Sequence, residues 1–322
     1  MRNAVRSLFA VAVWTLGVGV WAQTKPAEGP IRLVVPFAAG GGVDGAARLL
    51  ARQLQTQLGT TVIVENKPGA SGSIGGKAVQ LAPADGQTLL FSASTHVLAR
   101  QVMVTPPYDP ATDFAYVARV GEAPLLMVIS PQLPQTKLKE VMDAARQNPD
   151  KWTAGLPALG AASHLATLMF ARQGGLQPIT AVYKGTAPAL TDVAGGHAQI
   201  LIDSIISLQA MAKAGKVKPI AVTSARRSAV MPGVPTAVES GYPKFVTSSW
   251  YGVWAPKGTP DARVQSLNKS VNEAVQQLAK AGAWEQLGVE PITESTEEFR
   301  KYTSVYIAES AELLKNSGFK PE

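Results

Sequence analysis

Val35-Pro36-Phe37-Ala38-Ala39-Gly40-Gly41-Gly42-Val43-Asp44 joins a compact β-branched run, residues 31–35, to a segment in which Ala47, Leu50, Leu54 and Leu58 recur at helical spacing. The run reads as a buried strand and the segment as an amphipathic helix closed by Gly59. A strand feeding a helix through glycines opens a parallel α/β unit. Whether the chain is α/β throughout depends on that alternation recurring.

It recurs twice. Residues 61–64 make a second strand ending at Glu65-Asn66, and the loop Lys67-Pro68-Gly69-Ala70-Ser71-Gly72-Ser73 enters a short helix. The turn Pro83-Ala84-Asp85-Gly86 then leads to a strand through Leu89-Leu90-Phe91, completing β-α-β-α-β. A second unit starts near residue 126, with a strand at 126–129 and a helix over 137–147 capped by Thr136. It continues with a strand at 152–154, the loop 155–162 and a helix from Ser163, then strands at 179–183, 200–202 and 220–223. The last section holds a strand at 249–255, a helix from Asp261, and Ser295-Thr296-Glu297-Glu298 as the capping box of a final helix. The fold class is α/β, in two lobes. We expect lobe 1 over residues 29–125, lobe 2 over 126–251, and a return to lobe 1 with C-terminal helices over 252–322. Ligands of open α/β sheets sit beyond the carboxyl ends of strands, so the cleft between the lobes is the expected site.

The N-terminus has a different character. Arg2 and Arg6 precede an uncharged apolar run, residues 8–20, and Val20-Trp21-Ala22 places slim residues where a signal peptidase reads. Residues 1–22 are expected to be a secretory signal removed near Ala22, with 23–28 a linker, which predicts a periplasmic protein.

With 322 residues, 46% hydrophobic and 16% charged, the chain can fill two modest cores. It has no cysteine, which excludes disulfides, thiolate metal sites, cysteine nucleophiles and lipid attachment to an N-terminal cysteine. The net charge of +7 is scattered, without a basic run interleaved with aromatics, so nucleic acid is not an expected partner.

Gly40-x-Gly42-x-x-Gly45 fits the dinucleotide fingerprint, and Glu65 ends the next strand. Export argues against that use, because nicotinamide cofactors are not freely supplied outside the cytoplasm. Glycines ahead of a helix also form a cradle of backbone N–H groups that accepts an anion. A third possibility is a plain tight turn with Asp44 as the helix cap. The turn alone does not choose among them.

The rest of the chain offers no catalytic set. His96, His164 and His197 lack metal-ligand spacing, and no nucleophile elbow is present. Ser163 suits a helix cap and His164 a hydrogen-bonded structural role. Asp203 and Lys184 each follow a strand, where either a cleft role or a local one fits. No cofactor or metal is expected, and no enzyme.

The loops taken in order resemble the Bug family, the substrate-binding proteins of tripartite tricarboxylate transporters. The resemblance lies in Val35-Pro36-Phe37-x-x-Gly40-Gly41-x-x-Asp44, Val64-Glu65-Asn66-Lys67-Pro68-Gly69-Ala70-x-Gly72, Ala82-Pro83-x-Asp85-Gly86 and Tyr108-Asp109-Pro110-x-x-Asp113-Phe114. It continues in Ser163-His164-Leu165-Ala166, Tyr183-Lys184-Gly185-x-x-Pro188-Ala189 and Trp250-Tyr251-Gly252-x-x-Ala255-Pro256. It implies a type II periplasmic binding protein, with two α/β lobes joined by crossing strands and closing on a small carboxylate. It further implies a monomer serving the membrane components of a tripartite tricarboxylate transporter, or presenting ligand to a membrane-bound sensor. In such proteins two facing loops hold the carboxylate through backbone N–H groups and water. Carried over, one loop is residues 36–44, with Phe37, Ala38, Gly40, Gly41 and Asp44. The other precedes Ser163-His164, with Leu159, Gly160 and Ala161, and with Lys184 and Asp203 behind it. Ser94 and Thr95 would meet the distal end of the ligand.

This chain departs from the pattern in the second loop. The family's polar, hydroxyl-rich run is here Leu156-Pro157-Ala158-Leu159-Gly160-Ala161-Ala162, and Val43 stands where Ser or Thr is common. Fewer hydroxyls mean fewer bonds to a polar or doubly charged solute, and unpaired buried charge is costly. A less polar monocarboxylate, aromatic included, is expected over citrate or aspartate.

Overall fold

The computed structural model describes residues 29–322 apart from Gln177; the expected signal segment and linker lie outside the described residues. Strand β1 (Ile31–Val35) leads through the glycine turn into α1 (Gly42–Leu58), which Gly59 closes in the left-handed region. Then come β2 (Val62–Asn66), α2 (Ser73–Gln80), β3 (Thr88–Ala93) and two single-turn helices, α3 (Ser94–Val97) and α4 (Ala99–Val102). β1 pairs in parallel with β2 on one side and β3 on the other, as a β-α-β-α-β unit requires.

Strand β4 (Phe114–Ile129) is the spine of the molecule. Its 16 residues are far longer than the four-residue strand expected at 126–129, because bulges after Tyr116 and Arg119 break the period-two pattern over its first half. That first half pairs with β9 (Ser248–Pro256), which also lies beside β3. The second half, from Leu125, pairs with β7 (Ile200–Ser204) and with β8 (Lys218–Val222). One strand therefore links the half of the sheet holding β1 and β3 to the half holding β7.

The elements after β4 fall in the order α5 (Leu138–Gln147), β5 (Thr153–Leu156), α6 (Ala162–Gly174), β6 (Ile179–Val182), α7 (Thr186–Gly195), β7, α8 (Ile205–Lys213) and β8. β5 runs parallel to both β6 and β7. The chain returns through β9 to α9 (Asp261–Lys280), α10 (Ala283–Leu287), the two-residue β10 (Glu290–Pro291) paired with β4, and α11 (Thr296–Asn316). Ser295 and Glu298 exchange both capping-box hydrogen bonds at the start of α11. At α5 the cap differs from expectation. The Glu140 carboxylate reaches back to the Thr136 and Lys137 N–H groups, so the acid and not the Thr136 hydroxyl does the capping.

Helices cover both faces of the sheet, and the burial follows. One apolar cluster joins α1, α9 and strands β1 and β3 to Leu201, Ile205 and Leu208. Another places Leu156, Leu159 and Leu165 with Leu98, Val102, Trp250, Trp254 and Phe299. Residues before and after Leu125 thus share two apolar clusters, while a third gathers Leu138, Val141, Trp152, Phe170 and Phe245. Among the described residues, no helix is long and apolar enough to cross a membrane.

Candidate functional site

The first loop is fixed by its own acid. Asp44 is buried, and its carboxylate accepts the Gly40 N–H at 2.9 Å, the Arg48 Nε–H at 3.0 Å and the Asn66 Nδ2–H at 2.9 Å. Asn66 also donates to the Phe37 carbonyl at 3.0 Å, which pins the other end of the turn. Burial alone would raise the Asp44 pKa, but these donors outweigh it and hold the carboxyl below its usual range. Gly40 and Asp44 therefore satisfy each other. The N–H groups left without a partner inside the helix are those of Gly42, Val43 and Asp44, since the first intrahelical bond runs from Gly45 N–H to Gly41 O. Glu65, the acid a dinucleotide would need, pairs instead with Lys67 at 3.1 Å.

Hydrogen bonds bring this loop and its neighbours against the stretches around Lys184 and Gly160. The Ala38 N–H donates to the Lys184 carbonyl at 3.2 Å. The Leu159 N–H donates to Ser71 Oγ at 3.1 Å, and Ser94 Oγ donates to the Gly160 carbonyl at 3.2 Å. Lys184 thus enters through its backbone, with its side chain exposed. Gly185 beside it has φ +133°, and a β-carbon there would lie 3.1 Å from the Ala38 nitrogen, so glycine permits the close approach. Phe37 is buried and Ala38 half-buried, so the loop meets the stretch around Lys184 by packing as well.

The second loop is also held from within. The Gly160 N–H donates to His164 Nδ1 at 3.2 Å, and the Ala161 N–H donates to the Ala158 carbonyl at 3.3 Å. Burial pushes the His164 pKa down to about 4, which keeps the ring neutral and its Nδ1 free to accept. The apolar residues of this loop have a structural use: Leu156 and Leu159 share one buried cluster with Leu98 and Val102.

Two buried hydroxyl oxygens beside these helix starts make no hydrogen bond: Ser207 Oγ, 2.8 Å from where a β-carbon at Gly42 would lie, and Ser163 Oγ. Ser163 is fully buried in the first turn of α6. The neighbouring N–H groups of Ala162, Ser163 and His164 have no intrahelical acceptor, because the ladder begins with Leu165 N–H to Ala161 O. A buried hydroxyl and three backbone donors in one helical turn suit an anion that also accepts from water.

Asp203, at the end of β7, accepts a 2.5 Å hydrogen bond from Thr186 Oγ1, and burial raises its pKa to about 6. Thr186 in turn lies against Gly41 of the first loop. The next residue, Ser204, shares a 2.7 Å hydrogen bond with the Tyr251 hydroxyl on β9. Asp203 therefore backs the contact of Thr186 with the first loop and directly precedes the residue that ties β7 to β9. Thr95 is buried in α3 next to Ser94. Sequence reasoning missed Ser71, Asn66, Thr186, Ser204 and Tyr251. For Ser71 a signal was available, since it places a hydroxyl between the glycines of the loop ahead of α2. Among the described residues, no group of three or more His, Cys, Asp or Glu is placed to hold a metal ion.

Comparison with known proteins gives consistent matches over the whole fold. The sequence profile described as Tripartite tricarboxylate transporter family receptor matches residues 46–319. Protein BugT of Bordetella pertussis is 36% identical over 324 residues, covering 99% of each chain. The solved structure of the periplasmic binding protein BugD superposes with a TM-score of 0.87 at 36% identity, covering 92% of this chain and 99% of that one. An R. palustris protein solved with adipate gives a TM-score of 0.87 at 34% identity, covering 91% and 98%.

Proposed function

This chain belongs to the tripartite tricarboxylate transporter receptor family, and from that premise we propose that it captures a small carboxylate in the cleft and delivers it to the membrane components of such a transporter. Family membership makes it a solute-binding receptor and not an enzyme, which removes the dinucleotide reading of the glycine turn.

The observation that carries the proposal is Ser163. A fully buried hydroxyl without a partner forfeits about 1–3 kcal/mol unless something fills its bonding capacity. A ligand carboxylate can accept from that hydroxyl and from the N–H groups of the α6 first turn. The free N–H groups at the start of α1 supply a comparable set on lobe 1. The Gly40 N–H and Asp44 are not in the carboxylate's shell in this reading; they hold the loop that is.

The body of the acid is the finer question. Residues 156–162 carry no hydroxyl, and Val43 adds none, so few side-chain donors remain for a second polar end. A solute with an apolar body fits best, either an aromatic monocarboxylate or an acid with an aliphatic middle. Relatives have been solved with adipate and with malate, both dicarboxylates, so the preference tested is for a less polar body and not for a single charge. Residues 1–22 serve as the export signal in this reading, leaving a periplasmic mature chain.

Thermal-shift screening followed by calorimetry, with benzoate, adipate, malate, aspartate and citrate, tests both levels. Stabilisation by benzoate or adipate well above the others is the expected result, since a solute that binds only the folded state raises apparent stability by mass action. Stabilisation chiefly by citrate or aspartate would remove the apolar-body reading. A flat response to all five, extended to sulfonates and amines that do stabilise, would remove the carboxylate itself.

A further inference from the structure

The last five residues of the chain reach the ligand loop from the far side. After α11 the chain turns at Gly318, and residues 319–322 run back along residues 102–104. Glu322 N–H donates to the Val102 carbonyl and Val104 N–H donates to the Glu322 carbonyl, both at 3.1 Å. The half-buried Phe319 ring stands edge-on to the His164 ring, with centroids 4.8 Å apart and planes at 67°. Phe319 follows α11, whereas His164 lies in the first turn of α6.

Both partners of this tail act on Gly160. His164 Nδ1 accepts the Gly160 N–H on one side. On the other, a β-carbon at Gly160 would lie 3.3 Å from a methyl of Val102, the residue the tail pairs with, and 3.2 Å from Leu98. Gly160 has φ +74°, and its carbonyl is gripped by Ser94. It directly precedes the α6 cap, so its orientation aims Ser163 and the free N–H groups of the helix.

We propose that residues 318–322 form a strap in which Phe319 positions His164, and His164 positions Gly160 and the carboxylate-binding turn of α6. The strap acts through other residues and touches no solute. This rests on the carboxylate reading of the cleft for its effect on affinity, but its effect on Gly160 does not.

The test compares the full mature chain with Phe319→Ala, a chain ending at residue 317, His164→Leu and His164→Asn. Asparagine places an acceptor oxygen where Nδ1 stands, so it should restore what leucine loses. In the solute-free proteins, Gly160 amide exchange is expected to accelerate about tenfold or more in the first three variants and to stay near wild type in His164→Asn. The His164 Nδ1 nitrogen shift in Phe319→Ala should move toward that of an imidazole without a donor. With whichever of benzoate, adipate, malate, aspartate and citrate the wild type binds, Kd should rise about 5- to 20-fold in the same three variants while melting temperature changes little. Unchanged Gly160 exchange in Phe319→Ala, or affinity that follows melting temperature across all four, would overturn the strap. If the wild type binds none of those five acids, the carboxylate reading is what fails. Gly160 exchange and the nitrogen shift then decide the strap by themselves.

Discussion

The Gly40 N–H donates to the Asp44 carboxylate at 2.9 Å, so the glycine turn that looks like an anion cradle already holds an anion of its own. With Arg48 and Asn66 completing the set, Asp44 fixes the loop and leaves the first N–H groups of α1 without an intrahelical acceptor.

Asp44→Asn should therefore destabilise the fold by about 2–3 kcal/mol at neutral pH, because one acceptor position becomes a donor facing Arg48 and Asn66. The folded carboxyl lies below its usual range, so its contribution is present above the unfolded carboxylate pKa and lost as pH falls through the folded one. Urea midpoints for wild type and variant should differ at pH 7 and converge in acid. A constant gap across that range would mean that the charge contributes nothing.

Ser163→Ala separates a binding role from a structural one. The hydroxyl has no partner to lose, so melting temperature without solute should hold or rise slightly. Affinity for the carboxylate found by screening should fall about tenfold, the worth of one charge-assisted hydrogen bond. Lower stability with unchanged affinity would place Ser163 in the scaffold alone.

Asp203 titrates in the opposite sense to Asp44. Burial raises its folded pKa to about 6, so its favourable contribution is complete below the unfolded value near 3.8 and lost as pH rises through 6. Asp203→Asn keeps an acceptor for the Thr186 hydroxyl and removes the buried charge. The variant should match wild type near pH 4 and exceed it at pH 8, by thermal melts across that range. A variant less stable at pH 8 would show that the ionised acid has a partner worth more than its burial costs.

The fold is legible wherever period and punctuation are local. The 3.6-residue spacing of Leu50, Leu54 and Leu58, the closing Gly59, and the Ser295–Glu298 box each lie within a few residues, and each stands where the sequence puts it. The first half of β4 is not legible. Its bulges, with Gly121 and Pro124, disrupt the alternation that marks a strand, and its stability comes from β9, more than a hundred residues away. The site divides in the same way. The two loops are recognisable from their glycines and order, but what each residue does is set by partners distant in sequence. Ser94 with Gly160, Ser71 with Leu159 and Ala38 with Lys184 are pairings no local pattern announces. From sequence the apolar loop 156–162 is only a ligand lining, whereas Leu156 and Leu159 also share a buried cluster with Leu98 and Val102.

The loop ahead of α2 holds two non-glycine residues in the left-handed region, Ala70 at φ +44° and Ser71 at φ +48°, between Gly69 and Gly72. Each costs about 1–2 kcal/mol relative to an ordinary conformation, so something must hold them there. For Ser71 the return is visible: its Oγ accepts the Leu159 N–H. Ala70 is exposed and its side chain has no such task. Ala70→Gly should then stabilise the protein by roughly 1 kcal/mol and leave affinity unchanged, since glycine adopts that φ without strain. Ser71→Gly relieves the same strain but removes the acceptor, so it should raise melting temperature less and weaken carboxylate binding several-fold. Equal gains from both substitutions, with affinity untouched, would show that the Ser71–Leu159 contact plays no part in closing the lobes on solute.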